Sequence, residues 1–233
     1  MVLRDLPTAT VATFWGLALL IVTLVALPTV VSAEPIGGPG NVNCPNNTCQ
    51  GSTYTLSYSG TPLPDSDSAH ETFRIVYTID TSTYIGGGVR IDNVALKVSD
   101  HTVNVSLFDA PGGAIGNWEL ILGGINSAGC SGSGSGFECA NDISLLGVAP
   151  VPSSQEPYSW VFDVTLDNGT LLTGINQASI KARYVDANGK KIGALVSENI
   201  TVQVPEASAT ALLCMALVGV GLLARKKLPV QRS

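Results

Sequence analysis

Trp160-Val161-Phe162-Asp163-Val164-Thr165-Leu166-Asp167-Asn168-Gly169 decides the fold class of this 233-residue chain. Trp160, Phe162, Val164 and Leu166 fall on every second position. That period places them on one face of a β-strand, with the residues between them facing the other way. Asp167-Asn168-Gly169 then supplies a turn. An amphipathic helix would bring apolar residues back every three or four positions, and this stretch does not.

Working outward, the same pattern recurs. Tyr54, Leu56 and Tyr58 alternate with Thr55, Ser57 and Ser59, and Phe73, Ile75, Tyr77 and Ile79 form a longer run of the same kind. Between Val89 and Val98 the parity slips, from Val89 and Ile91 to Val94, Leu96 and Val98. A bulge at Asp92-Asn93 would absorb the extra residue. Val103, Val105 and Leu107 predict a strand that ends at the turn Asp109-Ala110-Pro111-Gly112-Gly113. Trp118 to Leu122 predicts a short strand, and Ile143 to Leu146 a weaker one. Ile180, Ala182 and Tyr184 continue the series, Asp186-Ala187-Asn188-Gly189 predicts a hairpin turn toward Ile192, and Ile200, Val202 and Val204 predict the last strand. No window from 34 to 203 carries a long helical period. Short strands with Gly, Pro, Asn and Asp punctuation predict an all-β domain: an antiparallel two-sheet β-sandwich, jelly-roll-like.

The two ends read differently. Arg4 precedes an apolar segment from Val11 to Val31, and Val31-Ser32-Ala33 places small residues before Glu34-Pro35. That is the layout of a secretory signal peptide over 1–33, with an uncleaved N-terminal anchor as the rival. At the other end, Val204-Pro205-Glu206 leads into an uncharged apolar run from Ala207 to Ala224. Arg225-Lys226-Lys227 follows at once. About 18 residues at ~1.5 Å each match the hydrocarbon core of a bilayer, so 207–224 predicts a transmembrane helix with its cations held on the cytoplasmic side.

These last residues, 204–233, resemble the PEP-CTERM sorting signal of Gram-negative bacteria: Pro-Glu, a small-residue apolar helix, then an Arg/Lys cluster. Ala207 stands where the family carries a second Pro, and the tail runs on from Leu228 to Ser233. The resemblance implies an exported protein whose tail is read by an exosortase-like processing enzyme. It further implies a destination at the cell surface or in extracellular polysaccharide and biofilm. It covers the tail alone and implies nothing about the fold of 34–203.

Charge narrows the partners. Five of the twelve cations and two of the eighteen anions lie in the end segments, leaving seven and sixteen in the middle, a net charge of −9. That charge argues against nucleic acid and anionic lipid as partners of the domain, because both need Lys and Arg to neutralise them. Cys44, Cys49, Cys130 and Cys139 lie in the exported part, and an even number there reads as disulfides. Four cysteines allow three connectivities. The local pairs Cys44–Cys49 and Cys130–Cys139 are favoured because each closes a short, turn-rich loop. Zinc is disfavoured: neither spacing is Cys-x2-Cys, and only His70 and His101 could assist.

Chemical motifs are weak. Gly132-Ser133-Gly134-Ser135-Gly136 has Gly where a hydrolase elbow needs its central Ser. His70 and His101 each neighbour an acid, Glu71 and Asp100, but adjacent strand residues face opposite ways. Asp65-Ser66-Asp67-Ser68 opens like a calcium loop, yet His70 occupies the Gly position and Val76 the terminal Glu position. A looser calcium site from loop carboxylates stays open, while no cofactor is otherwise expected. Tyr54, Tyr58, Tyr84, Trp118, Tyr158 and Trp160 could stack sugars, although most occupy core positions. The expectation is a non-catalytic exported surface or matrix protein, biofilm- or exopolysaccharide-associated. A carbohydrate- or calcium-binding module is the alternative, and a secreted hydrolase ranks below it.

Overall fold

The computed structural model describes residues 35–201, apart from 45–46, 59–60, 65–66, 100–101, 132–133, 135, 145–146, 154–155 and 171–177. The predicted signal peptide, the predicted transmembrane helix and the residues Val204, Pro205, Glu206, Arg225, Lys226 and Lys227 lie outside the described residues. Among the described residues there is no α-helix, and none is long and apolar enough to cross a membrane.

Among the described residues, ten strands form two antiparallel five-stranded sheets. The first runs in the order β1 (Ile36–Gly37), β2 (Thr53–Tyr58), β3 (His70–Asp80), β10 (Tyr158–Asp167), β5 (Thr102–Asp109). The second runs β12 (Val196–Ile200), β11 (Ala178–Val185), β4 (Arg90–Lys97), β9 (Glu138–Asp142), β6 (Trp118–Leu122). A two-stranded ribbon, β7 (Ile125–Asn126) with β8 (Gly129–Cys130), adds a third small sheet. Side chains from both main sheets merge into one apolar core, so the arrangement is β-sandwich-like.

The alternation in β10 is what fills that core. Trp160, Phe162, Val164 and Leu166 are completely buried, while Val161, Asp163 and Thr165 between them are only half-buried. β10 is central in its sheet, pairing with β3 on one side and β5 on the other. Phe73, Ile75, Tyr77 and Ile79 of β3 point inward beside it. From the opposite sheet Trp118 meets Trp160 edge to face, with ring centroids 5.4 Å apart. Quadrupoles favour that geometry over flat stacking.

The parity slip before Val94 is a real bulge. Asn93 pairs with Arg183 and Ile91 with Tyr184, leaving Asp92 as the extra residue of β4. Ile91, Val94 and Leu96 therefore all reach the core. Two more bulges shape the edge strand β5, where Val103 and Phe108 are the extra residues against β10. Both are thrown outward and more than half exposed, whereas Val105 and Leu107 between them pack on the core. Val103 was expected to face inward with them; the bulge reverses it. Phe108 lies under the Arg74 guanidinium, 3.5 Å from the ring centroid, and Arg74 also clasps Asp163 through two hydrogen bonds of 2.8 and 2.9 Å.

Three other expectations shift. The strand expected at Ile143–Leu146 lies just before it, as β9; Ile143 is half-exposed and outside any strand. Val89 precedes β4 and is exposed. The last strand is Val196–Ile200, earlier than expected, and Val202 and Val204 fall outside the described residues. The hairpin turn is where it was expected. Gly189 takes a φ of 78°, and the Asp186 carboxylate accepts hydrogen bonds from the backbone of Asn188 and Lys190.

Candidate functional site

Cys44, Cys49, Cys130 and Cys139 form the two local disulfides, Cys44–Cys49 and Cys130–Cys139, each with Cα atoms 5.8 Å apart. Cys44–Cys49 closes the β1–β2 connection, and both its residues are buried against the main core. Cys130–Cys139 ties β8 to β9. It thereby fastens the β7–β8 ribbon over the outer face of the second sheet, where Ala95, Ile125 and Cys139 make a second small apolar cluster.

Under that ribbon lies a buried polar network. Arg183 donates to Asp92 at 2.7 Å, to Asn93 Oδ1 at 2.9 Å and to the Gly189 carbonyl at 3.0 Å. Asn93 in turn donates to Asn141 at 2.6 Å. Burial pushes the Asp92 carboxyl up to about 6 and nearby Asp142 adds to the rise, against the opposing pull of Arg183 and Arg90. Arg183 and Asp92 pair with each other, while Asp92 Oδ1 and Arg183 Nε are buried without a hydrogen-bond partner among the described residues.

Other candidates from the sequence are also absorbed by structure. Asp67 caps its own turn, Oδ1 accepting from the backbone of Ala69 and His70, and its other oxygen lies 3.2 Å from His70 Nδ1. The His70 ring, with those two N–H groups, holds the Asp67 carboxyl below its usual value. His70 is therefore partnered by Asp67, three residues back, and not by its neighbour Glu71. Asp65, Ser66, Asp100 and His101 lie outside the described residues. Among the described residues no cluster of three His, Cys, Asp or Glu could hold a metal. Of the six aromatics, Tyr54, Tyr58, Tyr84, Trp118 and Trp160 are buried; Tyr158 alone keeps part of its ring at the surface.

Tyr158 leads to a concavity that sequence reasoning missed. An open groove of about 480 Å³ runs between the β5–β6 loop, which gives Pro111 and Gly112, and the β9–β10 connection. That connection contributes Val148, Pro150, Pro152, Ser153, Glu156 and Pro157 before the chain enters β10 at Tyr158. Gly112, at φ 74°, lets the two walls meet, since a Cβ there would stand 2.8 Å from Val148. The Tyr158 hydroxyl donates to the Pro150 carbonyl at 2.6 Å, and Trp118 Nε1 donates to the Pro111 carbonyl at 2.9 Å. The Ser153 hydroxyl donates to the Glu156 carbonyl at 3.2 Å. The groove sits where β10 begins and β5 ends; Ile200, paired with Ala178 at the start of β11, marks the opposite end of the sandwich. The signal that could have revealed it is the run of prolines at 150, 152 and 157 just before an aromatic strand start. Proline carries no N–H for a sheet and is confined to edges and connections.

Searches of family models and of curated proteins find no match to this chain.

Proposed function

We propose that this protein is a non-catalytic, exported surface or matrix component, carried out of the cytoplasm by its N-terminal signal and sorted by its C-terminal tail. The observation that carries the reading is the pair of disulfides, Cys44–Cys49 and Cys130–Cys139, between two segments that read as an export address. Disulfides persist in the periplasm and outside the cell, and are rare in a reducing cytoplasm. The connections cross repeatedly between the two sheets, which supports reading the sandwich as jelly-roll-like and suits a compact secreted domain. The non-catalytic part rests on how the charged groups are used: Arg74 with Asp163, Arg183 with Asp92 and His70 with Asp67 are structural pairs.

The tail resembles an exosortase-read signal, so processing should remove Arg225-Lys226-Lys227. The test is to express the full chain in a Gram-negative host that carries an exosortase, fractionate the cells, and measure the intact mass of the exported form. A mature species that lacks both the first 33 residues and the basic cluster is expected. An exported form that keeps the basic cluster would replace sorting with plain anchoring. Full-length protein with free thiols in the cytoplasm would sink the proposal entirely.

A further inference from the structure

The groove headed by Tyr158 is lined with a chemistry that selects its ligand. Four of its nine lining residues are prolines, at 111, 150, 152 and 157, and none of these has an N–H to donate. The two aromatic donors at its walls are already spent, Tyr158 on the Pro150 carbonyl and Trp118 on the Pro111 carbonyl. The Ser153 hydroxyl donates to the Glu156 carbonyl. Among its side chains the lining offers one charged acceptor, the exposed Glu156 carboxylate, set among saturated proline rings and the half-buried Tyr158 ring; the Pro111 and Pro150 carbonyls already accept once and keep a second lone pair.

A ligand that fits must therefore donate hydrogen bonds and present an apolar ring face. It must also be uncharged or cationic, because Glu156 is the charged residue of the lining and the domain as a whole is strongly acidic. A proline-rich peptide fails: it presents acceptor carbonyls and needs aromatic donors that are committed here. An acidic polysaccharide fails on charge. A pyranose meets each requirement, with hydroxyls that donate and a C–H face that packs on aromatic and proline rings. A volume of about 480 Å³ lies within the ~300–1,000 Å³ range of small-ligand sites. We infer that the groove between Pro111 and Tyr158 binds one or two residues of a neutral saccharide. Tyr158 is the stacking platform and Glu156 accepts from the sugar hydroxyls. The tethered hydroxyl of Tyr158 keeps the ring fixed before binding, so little side-chain freedom is lost on contact. The site stands whether or not the tail is processed.

The test uses the full chain in detergent micelles. It is titrated by isothermal calorimetry with dextran, mannan and galactan oligosaccharides, with alginate oligosaccharide as the anionic comparison and a proline-rich decapeptide as the acceptor comparison. Saturable binding of at least one neutral oligosaccharide is expected, with neither comparison ligand bound. Tyr158→Ala should weaken it about tenfold or more, and Glu156→Gln by about three- to tenfold, the ordinary scale of one lost contact. Ile115→Ser changes a fully exposed side chain on the same β5–β6 loop and should leave affinity within about twofold. Should Tyr158→Ala fail to fold, Glu156→Gln decides. The proposal is overturned if no neutral saccharide binds, if alginate or the peptide binds instead, or if binding survives Glu156→Gln unchanged.

Discussion

The hydroxyls of Tyr54 and Tyr184 lie 2.7 Å apart in the middle of the sandwich, one phenol from each main sheet. The Tyr184 hydroxyl donates to Ser52 Oγ at 2.8 Å, so Tyr54 donates to Tyr184 and the chain of hydroxyls has one direction. Tyr184 also stacks on Tyr84, with centroids 4.6 Å apart. This is a polar bolt through an apolar core, and each member satisfies the next.

Removing two members together should cost less than the sum of removing each alone. Tyr184→Phe strands both the Tyr54 hydroxyl and the Ser52 hydroxyl side of the chain, at ~1–3 kcal/mol for a buried group left unpaired. Tyr54→Phe combined with Tyr184→Phe leaves less unsatisfied and should destabilise by less than the sum of the single changes. Urea unfolding of the three variants measures this; strict additivity would mean that the hydroxyls are not coupled. Burial also raises the pKa of both phenols, with further contributions between neighbouring tyrosines. The neutral phenol is the form the fold favours. Stability from these groups is therefore intact below the ordinary tyrosine value and lost as pH climbs above it, and the double Phe variant should lose less on going from neutral to strongly alkaline buffer.

How much of this was legible in the sequence depended on whether the cause was local. The period of Trp160–Leu166 and of Phe73–Ile79 named their inward residues correctly, because a strand's two faces are fixed by its own geometry. The bulge at Asp92 was legible too, since a shift of parity within one strand has few other solutions. The outward turn of Val103 was not, because its bulge exists only relative to β10. β9, with the sequence Glu-Cys-Ala-Asn-Asp, hides because Cys139 and Ala140 are small and are buried on opposite faces, one under the β7–β8 ribbon and one in the main core. Arg183 and Asp92 are 91 residues apart, and no local pattern announces such a pair. The groove needed two loops, each crossing between the two sheets, to meet at one end of the sandwich, which only the topology brings about.

Two glycines with left-handed backbones should respond very differently to alanine. At Gly37, φ is 94° and a Cβ would overlap the Ser52 carbonyl oxygen, which is itself hydrogen-bonded to Gly38 N. At Gly113, φ is 88° and nothing lies within 4 Å. Gly113→Ala should cost only the backbone term, about 1 kcal/mol. Gly37→Ala adds a steric conflict with rigid backbone beside Cys49 and should cost at least about 2 kcal/mol more. Thermal melts compare them directly; equal losses would show that the β1–β2 connection yields more readily than its packing suggests.

The Cys130–Cys139 bridge should matter locally as much as globally. It spans nine residues, and loop-closure entropy for so short a loop is worth ~2–3 kcal/mol. The ribbon it fastens has only two residues per strand and rests on the small cluster around Ala95 and Ile125. Replacing both cysteines by Ser should therefore free residues 125–130 before the main sheets. Hydrogen exchange should show lost protection in the ribbon with β10 amides unchanged. Uniform loss across both sheets would make the bridge a support of the whole sandwich instead.

Asp92 and Arg183 provide the pH signature. The folded-state pKa of Asp92 is raised to about 6, well above the ordinary carboxylate value, with burial as the leading cause. Between pH 4 and 6 the native state therefore binds this proton more tightly than the unfolded chain does. Stability from Asp92 is fully present below pH 4, falls as pH rises to about 6, and is level above that, a change on the order of 2 kcal/mol. Most surface carboxylates slope the other way, so the quantity to measure is the wild-type stability minus that of Asp92→Asn across the range. That difference should decline with rising pH. Arg183→Met completes the argument: at pH 7 it leaves an ionised, largely buried carboxylate without its partner, at ~3–5 kcal/mol. At pH 4 the carboxyl is neutral and the penalty should shrink markedly. A penalty for Arg183→Met that stayed constant from pH 4 to 7 would show that Arg183 acts through its packing and its bonds to Asn93 and Gly189, not through the charge on Asp92.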